Sequence, residues 1–315
     1  MPSSEDAREP VHPQSLRVVF CGMTGQFSLL VLEELLRAGI EIAAVVLPAL
    51  GGRTDQPPLR LPQQKAIRGR ALPMFAVPAP RTILDLAAER RVPVLELSGQ
   101  VVPELLAGLT FDAICVACFS RRLPPALLRL PRLGCLNVHP SLLPAHRGPD
   151  PLFWIFHEGD ETGGVTIHLM DEGFDTGPIV LSEALPISDS ATEAVLERAC
   201  AVRGGQLLAE ALIRLNVGAL QPLPQDASRA SHESWPTAAD FTMTSAWSAQ
   251  RAYRFLAGIG GRGEPVHFVA DDDAFTLRAV LDYDTNATLG VAWQLTGDVL
   301  SVRCAPGVLR CQIAA

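Results

Sequence analysis

A Rossmann-like α/β fold, a mostly parallel sheet with helices on both faces, is predicted for the first two thirds of this 315-residue chain. Short β-branched runs alternate there with helix-length segments, and leucines recur at helical spacing between them. Closely spaced strand-like runs after Thr237 predict a smaller β-rich unit, an OB-like barrel. Leu16 to Cys21 is the first strand candidate. Gln26 to Arg37 has Leu29, Leu30, Leu32, Leu35 and Leu36 at helical intervals and stops near Gly39, as helices do. Ile40 to Leu47 and Val92 to Leu97 follow as strands, then Ala113 to Ala117 and Cys135 to His139, with helices expected at Pro103–Leu109 and Pro124–Leu130. Residues 163–184 read as two strands joined by the loop Asp171–Gly177, and Ala191 to Leu215 as a long helix. Ser245 to Leu256 reads as a short helix, and the runs Val266–Val269, Phe275–Leu281, Leu289–Leu295, Val299–Val302 and Val308–Ile313 as strands. The expected organisation is a disordered tail over 1–14, a first domain over 15–220, a polar, proline-bearing linker over 221–236 and the small β-rich domain over 237–315.

Composition narrows the function. A net charge of −8 argues against non-specific nucleic-acid binding by the chain as a whole. No apolar run reaches the length of a membrane helix, and Met1 to Gln14 lacks the apolar core of a signal peptide. A cytoplasmic protein without membrane contact is therefore expected. The seven cysteines include one close pair, Cys115 and Cys118, but no set of four ligands at zinc spacing, so buried free thiols are expected and no metal site. One segment is locally basic: residues 51–75 carry Arg53, Arg60, Lys65, Arg68 and Arg70 against Asp55 alone, and Lys65 is the only lysine in the chain. That stretch is also an unusually long loop for a compact domain.

The chemistry centres on Cys135-Leu136-Asn137-Val138-His139-Pro140-Ser141-Leu142-Leu143-Pro144, followed 36 residues after His139 by Asp175. Asn137 and His139 differ by two positions at a strand's carboxyl end, so both side chains point to one side, where ligands of parallel sheets bind. An amide, an imidazole and a carboxylate suit acyl transfer to an amine. The amide N–H can hold a developing oxyanion, the imidazole can move a proton or donate one if charged, and the carboxylate can orient the ring and raise its pKa. Gly22-Met23-Thr24-Gly25 reads either as a tight turn or as a phosphate cradle. His146, His157 and His168 have no evident partner and read as structural.

The decapeptide 135–144, with Arg147-Gly148, Gly159-Asp160, Thr162 to Met170 and Gly173-Phe174-Asp175-Thr176-Gly177, resembles the folate-dependent formyltransferases. The likeness runs from Leu16 to about Leu215, and more weakly through Ser231–Val269 into the C-terminal domain, and is greatest to members that formylate methionyl-tRNA. It implies a Rossmann-like catalytic domain using 10-formyltetrahydrofolate as co-substrate, with Asn137, His139 and Asp175 as the catalytic trio. It also implies folate contacts from Phe119, Ser120, Arg121, Arg122 and Leu123, from Ser141, Leu142, Leu143 and Pro144, and from Asp171 and Gly173. Arg60, Lys65, Arg68 and Arg70 would grip the acceptor, with initiator tRNA as the partner.

The chain departs from that pattern after the Ser-Leu-Leu-Pro loop. Where the tRNA enzymes usually carry Arg-Trp-Arg-Gly-Ala-Ala-Pro, this chain has Ala145-His146-Arg147-Gly148-Pro149-Asp150-Pro151, which sets a carboxylate close to the site. Residues 229–315 hold seven arginines against nine acids and no lysine. Three readings follow: formyl transfer to methionyl-tRNA, formyl transfer to a smaller amine such as an amino sugar nucleotide, and hydrolysis of formyltetrahydrofolate. Oligomeric state leaves no mark in the sequence.

Overall fold

The computed structural model describes residues 16–49, 59–60, 80–97, 106, 108–271 and 273–314. Its first sheet has eight strands: β1 (Arg17–Gly22), β2 (Glu41–Pro48), β3 (Leu59–Arg60), β4 (Val94–Leu97), β5 (Ala113–Ala117), β6 (Cys135–His139), β7 (Thr162–Leu169) and β8 (Ile179–Pro186). They lie in the order β3-β4-β2-β1-β5-β6-β7-β8. The strands from β4 to β6 run parallel, while β7 and β8 close one edge antiparallel and β3 the other.

Alternation along β1 sends Val18 and Phe20 into the core on one face of the sheet and Val19 and Cys21 into the core on the other. The first face is covered by α1 (Gln26–Arg37), α2 (Ile83–Arg90) and α5 (Glu193–Asn216), the second by Leu106, Leu123 and Leu127, the last from the single-turn helix α3 (Pro125–Leu128). In α1, Leu29, Leu30, Leu32 and Leu35 are buried, and the helix ends where Gly39 turns the backbone to φ +79°. Helix α2, not among the helices expected from the sequence, starts on a capping box in which Thr82 and Asp85 bond each other's backbone. Helix α5 lies close against the sheet because Gly204 has no side chain: a Cβ there would meet Val138 Cγ1 at 2.4 Å. The helix expected at Pro103–Leu109 falls mostly outside the described residues.

The second sheet runs β12-β13-β14-β11-β10-β9, with β9 (Thr242–Thr244), β10 (Val266–Ala270), β11 (Asp273–Asp284), β12 (Trp293–Thr296), β13 (Val299–Arg303) and β14 (Val308–Ile313). It is antiparallel except where the short β9 pairs with β10. Strand β9 and the two-residue β3 were not expected from the sequence, being too short to show a period. Helix α6 (Ala249–Ile259) lies against this sheet, and its Phe255 meets Phe153 of α4 (Pro151–Glu158) at 5.7 Å between ring centroids. One apolar core is thereby continuous from β1 to β14.

The stretch from Gln221 to Pro236 runs alongside the first sheet, bridging Ile179 through Leu223 and Arg147 through His232. Among the described residues no helix is long and apolar enough to cross a membrane. All seven cysteines are free thiols, and only Cys118 is exposed.

Candidate active site

Strand β6 builds the centre. Leu136 and Val138 point into the core, so Asn137 and His139 share the other side at the strand's carboxyl end. His139 is buried, and Nε2 of its ring donates to the backbone oxygen of His146 at 2.8 Å. Since a carbonyl oxygen only accepts, Nε2 carries the hydrogen and Nδ1 of the neutral ring is left basic.

Asp175 comes from the loop between β7 and β8, where its backbone sits at φ +53°. Its Oδ2 lies 3.8 Å from His139 Nδ1 and accepts the Gly148 N–H at 3.0 Å. The structure thus brings the three sequence-predicted groups together. A fourth joins them: His168 of β7 pairs across the sheet with Asn137, and its Nε2 stands 3.1 Å from Asn137 Nδ2 and 3.5 Å from Asp175 Oδ1. The sequence reading took His168 as structural. The signal that could have found it is its inward register on the strand antiparallel to the one bearing Asn137.

Electrostatics set the protonation states. Burial is the largest influence on Asp175 and would raise its pKa, but His139, His168 and the Gly148 N–H together outweigh it and hold the carboxyl at about 2. Burial likewise dominates at His139 and pushes its pKa below the usual imidazole value, with Asp175 and the His146 carbonyl pulling the other way. A carboxylate beside an imidazole is expected to raise its pKa and favour a charged ring. Asp175 does act in that direction, but desolvation wins, so the resting ring is neutral.

The loop after β6 is shaped by its own hydrogen bonds. Ser141 is fully buried, and its Oγ donates to Ala145 O at 2.8 Å while its carbonyl accepts from Thr166 Oγ1 at 2.7 Å. Thr166 Oγ1 also accepts the Leu143 N–H, at 3.1 Å, and the Leu143–Pro144 peptide is cis. Leu142 closes over Gly164, and Leu143 is buried.

Phe119, Ser120, Arg121, Arg122 and Leu123 follow the end of β5. Leu123 is buried with Phe119 packed against the second core face, and Arg121 donates to Ala49 O at 3.2 Å. Arg122 stacks over the exposed ring of Phe174 at 5.5 Å and donates to Glu172 O, so this segment and the Asp171–Gly177 loop meet. Asp171 Oδ1 accepts from Gly173 N at 2.9 Å and from Thr176 Oγ1 at 2.7 Å, which holds that loop's turn. The Gly22–Gly25 turn is tied down by Ser28, whose Oγ accepts Met23 N at 2.9 Å and donates to Ala117 O at 2.8 Å.

Of the four basic residues expected at the acceptor, Arg60 lies in β3 with only its backbone described, and Lys65, Arg68 and Arg70 fall outside the described residues. Asp150 is not a free charge near the site. Arg262 of the second unit binds both its oxygens, at 2.6 and 2.8 Å, and also binds Glu193.

Gln225 was also missed. Its Nε2 donates to Asp175 O at 2.8 Å and to Gly177 O at 2.7 Å, and its Oε1 accepts from Arg147 at 3.1 and 2.7 Å. Among the described residues no group of three or more His, Cys, Asp and Glu side chains is arranged to hold a metal ion.

A family model described as "Formyl transferase" matches residues 72–212. A methionyl-tRNA formyltransferase of Synechococcus sp. (strain JA-3-3Ab) is 39% identical over 233 residues, which is 72% of this chain and 66% of that protein. One of Aromatoleum aromaticum is 37% identical over 69% of this chain and 63% of its own length. The chain thus spans slightly less than two thirds of these two relatives. One of Herminiimonas arsenicoxydans is 35% identical over 72% of this chain and 77% of its own length.

In fold, the N-formyltransferase of Helicobacter canadensis, solved with folinic acid and dTDP-3-aminofucose, matches at a TM-score of 0.66 and 13% identity, covering 95% of this chain and all of that one. HypX of Aquifex aeolicus, solved with tetrahydrofolic acid, matches at 0.53 and 15% identity over 94% of this chain and 43% of its own. With 35% identity extending over 77% of a relative, on a fold shared along nearly its whole length, the chain belongs to the formyl transferase family.

Proposed function

We propose that this chain transfers the formyl group of 10-formyltetrahydrofolate to the amino group of methionyl-tRNA, in the cytoplasm. The observation that carries the chemistry is the neutral, buried His139 ring, its basic Nδ1 3.8 Å from an ionised Asp175 and its neighbour Asn137 on the same face of β6. The catalytic unit would comprise residues 15–220, with 237–315 as a smaller domain joined through 221–236.

The geometry supports the following roles. As the acceptor amine bonds to the formyl carbon, negative charge develops on the formyl oxygen. Asn137 offers that oxygen an N–H, since His168 takes only one of its two. A donor of this kind is worth about 3–4 kcal/mol of barrier. His139 Nδ1 takes the proton that the amine sheds, and Asp175 stabilises the imidazolium so formed. Collapse of the tetrahedral species breaks the bond to the folate nitrogen, which receives the proton back from His139. No enzyme-bound acyl group is required, consistent with cysteines whose thiols burial pushes up, Cys135 and Cys200 to about 12.

A second reading, formylation of an amino sugar nucleotide, is favoured by one observation. Arg251, Arg254, Arg262 and Arg310 of the C-terminal unit are all engaged with acidic side chains of this chain, which leaves few to grip a phosphate backbone. An acceptor screen with purified protein and 10-formyltetrahydrofolate separates the readings. Formyl-methionyl-tRNA as the sole product supports the first. A formylated sugar nucleotide with unreacted tRNA replaces it with the second, and formate release without any amine abandons both for hydrolysis.

A further inference from the structure

His146 stands just outside the reacting groups, yet its loop touches two of them. Its carbonyl oxygen holds His139 Nε2 at 2.8 Å, and two residues on, the Gly148 N–H holds Asp175 at 3.0 Å. The backbone at 146–148 therefore orients both the imidazole and the carboxylate beside it. On its other side this backbone is tied to the strap 231–233. His146 N donates to Ser231 Oγ at 2.7 Å, Arg147 N to Ser231 O at 3.2 Å, and Glu233 N to Arg147 O at 3.0 Å.

The His146 side chain spans that assembly. Nε2 lies 2.7 Å from Asp160 Oδ2, on the residue leading into β7, and Nδ1 lies 3.5 Å from Glu233 Oε1 on the strap. Both Nδ1 and Glu233 Oε2 are buried without a hydrogen-bond partner among the described residues. A neutral ring would leave the Glu233 carboxylate facing a lone pair in a buried place, whereas a charged ring lies between two opposite charges. His146 also occupies a left-handed backbone conformation, φ +56°, which is uncommon outside glycine but is one that histidine adopts more readily than most residues. Its other titratable neighbours are Glu158, the His139 ring and, beyond that, Asp175.

We propose that His146 is a positioning residue: clamped between Asp160 and Glu233, it fixes the carbonyl that locks the His139 ring in the orientation and tautomer with Nδ1 free. This rests on the reading of His139 as the base, and it predicts two linked consequences. The His139 Nε2–H is a slowly exchanging proton, because its acceptor cannot move. The clamp also weakens as alkali deprotonates His146, so turnover falls on the alkaline side while substrate affinity holds.

The test is His146→Asn, because asparagine accepts a positive φ and removes the ring without straining the turn. In the folded variant the ¹⁵N-coupled proton signal of His139 Nε2 is expected to broaden or vanish. The kcat is expected to fall roughly tenfold to a hundredfold with both KM values within about twofold, and the alkaline limb of the pH profile to disappear. A His139 signal as sharp as in the parent overturns the proposal, as does a kcat within twofold of it. If His146→Asn does not fold, Glu233→Gln takes its place. Removing that charge should bring the alkaline limb to lower pH, and an unmoved limb overturns the proposal. His139→Ala in the same assay keeps the two ideas apart. If it retains turnover, the base assignment fails, while the His139 signal compared between the parent and His146→Asn still tests the clamp.

Discussion

His168 and Asn137 face each other across the antiparallel pair β6–β7, with His168 Nε2 3.1 Å from the Asn137 amide nitrogen. His168 Nδ1 lies 3.0 Å from the Leu169 carbonyl, which fixes the ring so that Nε2 meets the Asn137 amide and sets which way it turns. Replacing His168 by leucine should leave the fold in place and free Asn137 to rotate. The kcat is expected to drop by at least about tenfold, approaching the loss from deleting an oxyanion donor. Parent-like turnover in His168→Leu would remove His168 from the site.

The roles proposed for the trio predict different losses. Asn137→Ala should cost about a hundredfold or more in kcat with little change in KM, because the proposed oxyanion contact is made chiefly in the transition state. His139→Ala should cost at least as much. Asp175→Asn keeps the shape but removes the charge that stabilises the imidazolium, and it should lower the apparent pKa of His139 as well as the rate. A kinetic pH titration of this variant with an unmoved acidic limb would argue that Asp175 acts only as a scaffold.

The directions of the pKa shifts set the acid side of the profile. Because the pKa of His139 is lowered, the ring stays neutral and competent below the usual imidazole value of 6.5, and turnover should decline only at lower pH still. Asp175 contributes to stability in the opposite sense from a charged histidine. Its folded pKa of about 2 lies below the ordinary 3.8, so its contribution, about 2 kcal/mol, is complete above pH 5 and is lost as pH falls through 3.8 towards 2. Urea unfolding between pH 7 and pH 2 should show Asp175→Asn less pH-dependent than the parent by that amount.

Gly148 cannot be replaced. Its φ is +131°, and a Cβ there would sit 2.1 Å from Glu233 O. Gly148→Ala must displace either the strap or the N–H that holds Asp175. A fall in kcat of roughly a hundredfold is expected from a shift of about an ångström, accompanied by a lower Tm. Unchanged kinetics would show that the strap moves freely.

Arg262 joins the second unit to the first through Asp150 and Glu193 while lying over Phe153 at 5.1 Å. Arg262→Ala leaves two carboxylates facing each other in a half-buried place and should destabilise the protein by about 2–3 kcal/mol. Asp150→Asn in the same background should recover part of that loss. Additive effects in the double-mutant cycle would deny the coupling.

Much of this site could be read along the chain because it rests on local geometry. Asn137 and His139 share a face because a strand alternates, and the strand Cys135–His139 and helix Gln26–Arg37 stand where the apolar pattern put them. Asp175 was found by its motif rather than by physics, since no local rule brings a loop 36 residues away onto a strand end. Asp150 shows the opposite case. Its charge was legible, but its partner Arg262 lies 112 positions away, so the sequence showed a bare carboxylate close to the site where the fold has an ion pair.

What the sequence by itself determined is the chemistry available: an amide and an imidazole two residues apart, a carboxylate in a glycine-flanked loop, and the alternation that builds a parallel sheet beneath them. Only the tertiary structure decided how those groups are charged and held. His168 enters through antiparallel pairing, Gln225 and Glu233 through a segment that reads as a spacer, and the neutral state of His139 through burial. Each is a through-space effect: desolvation and hydrogen bonding depend on which distant residues surround a group, and a linear pattern carries no record of that.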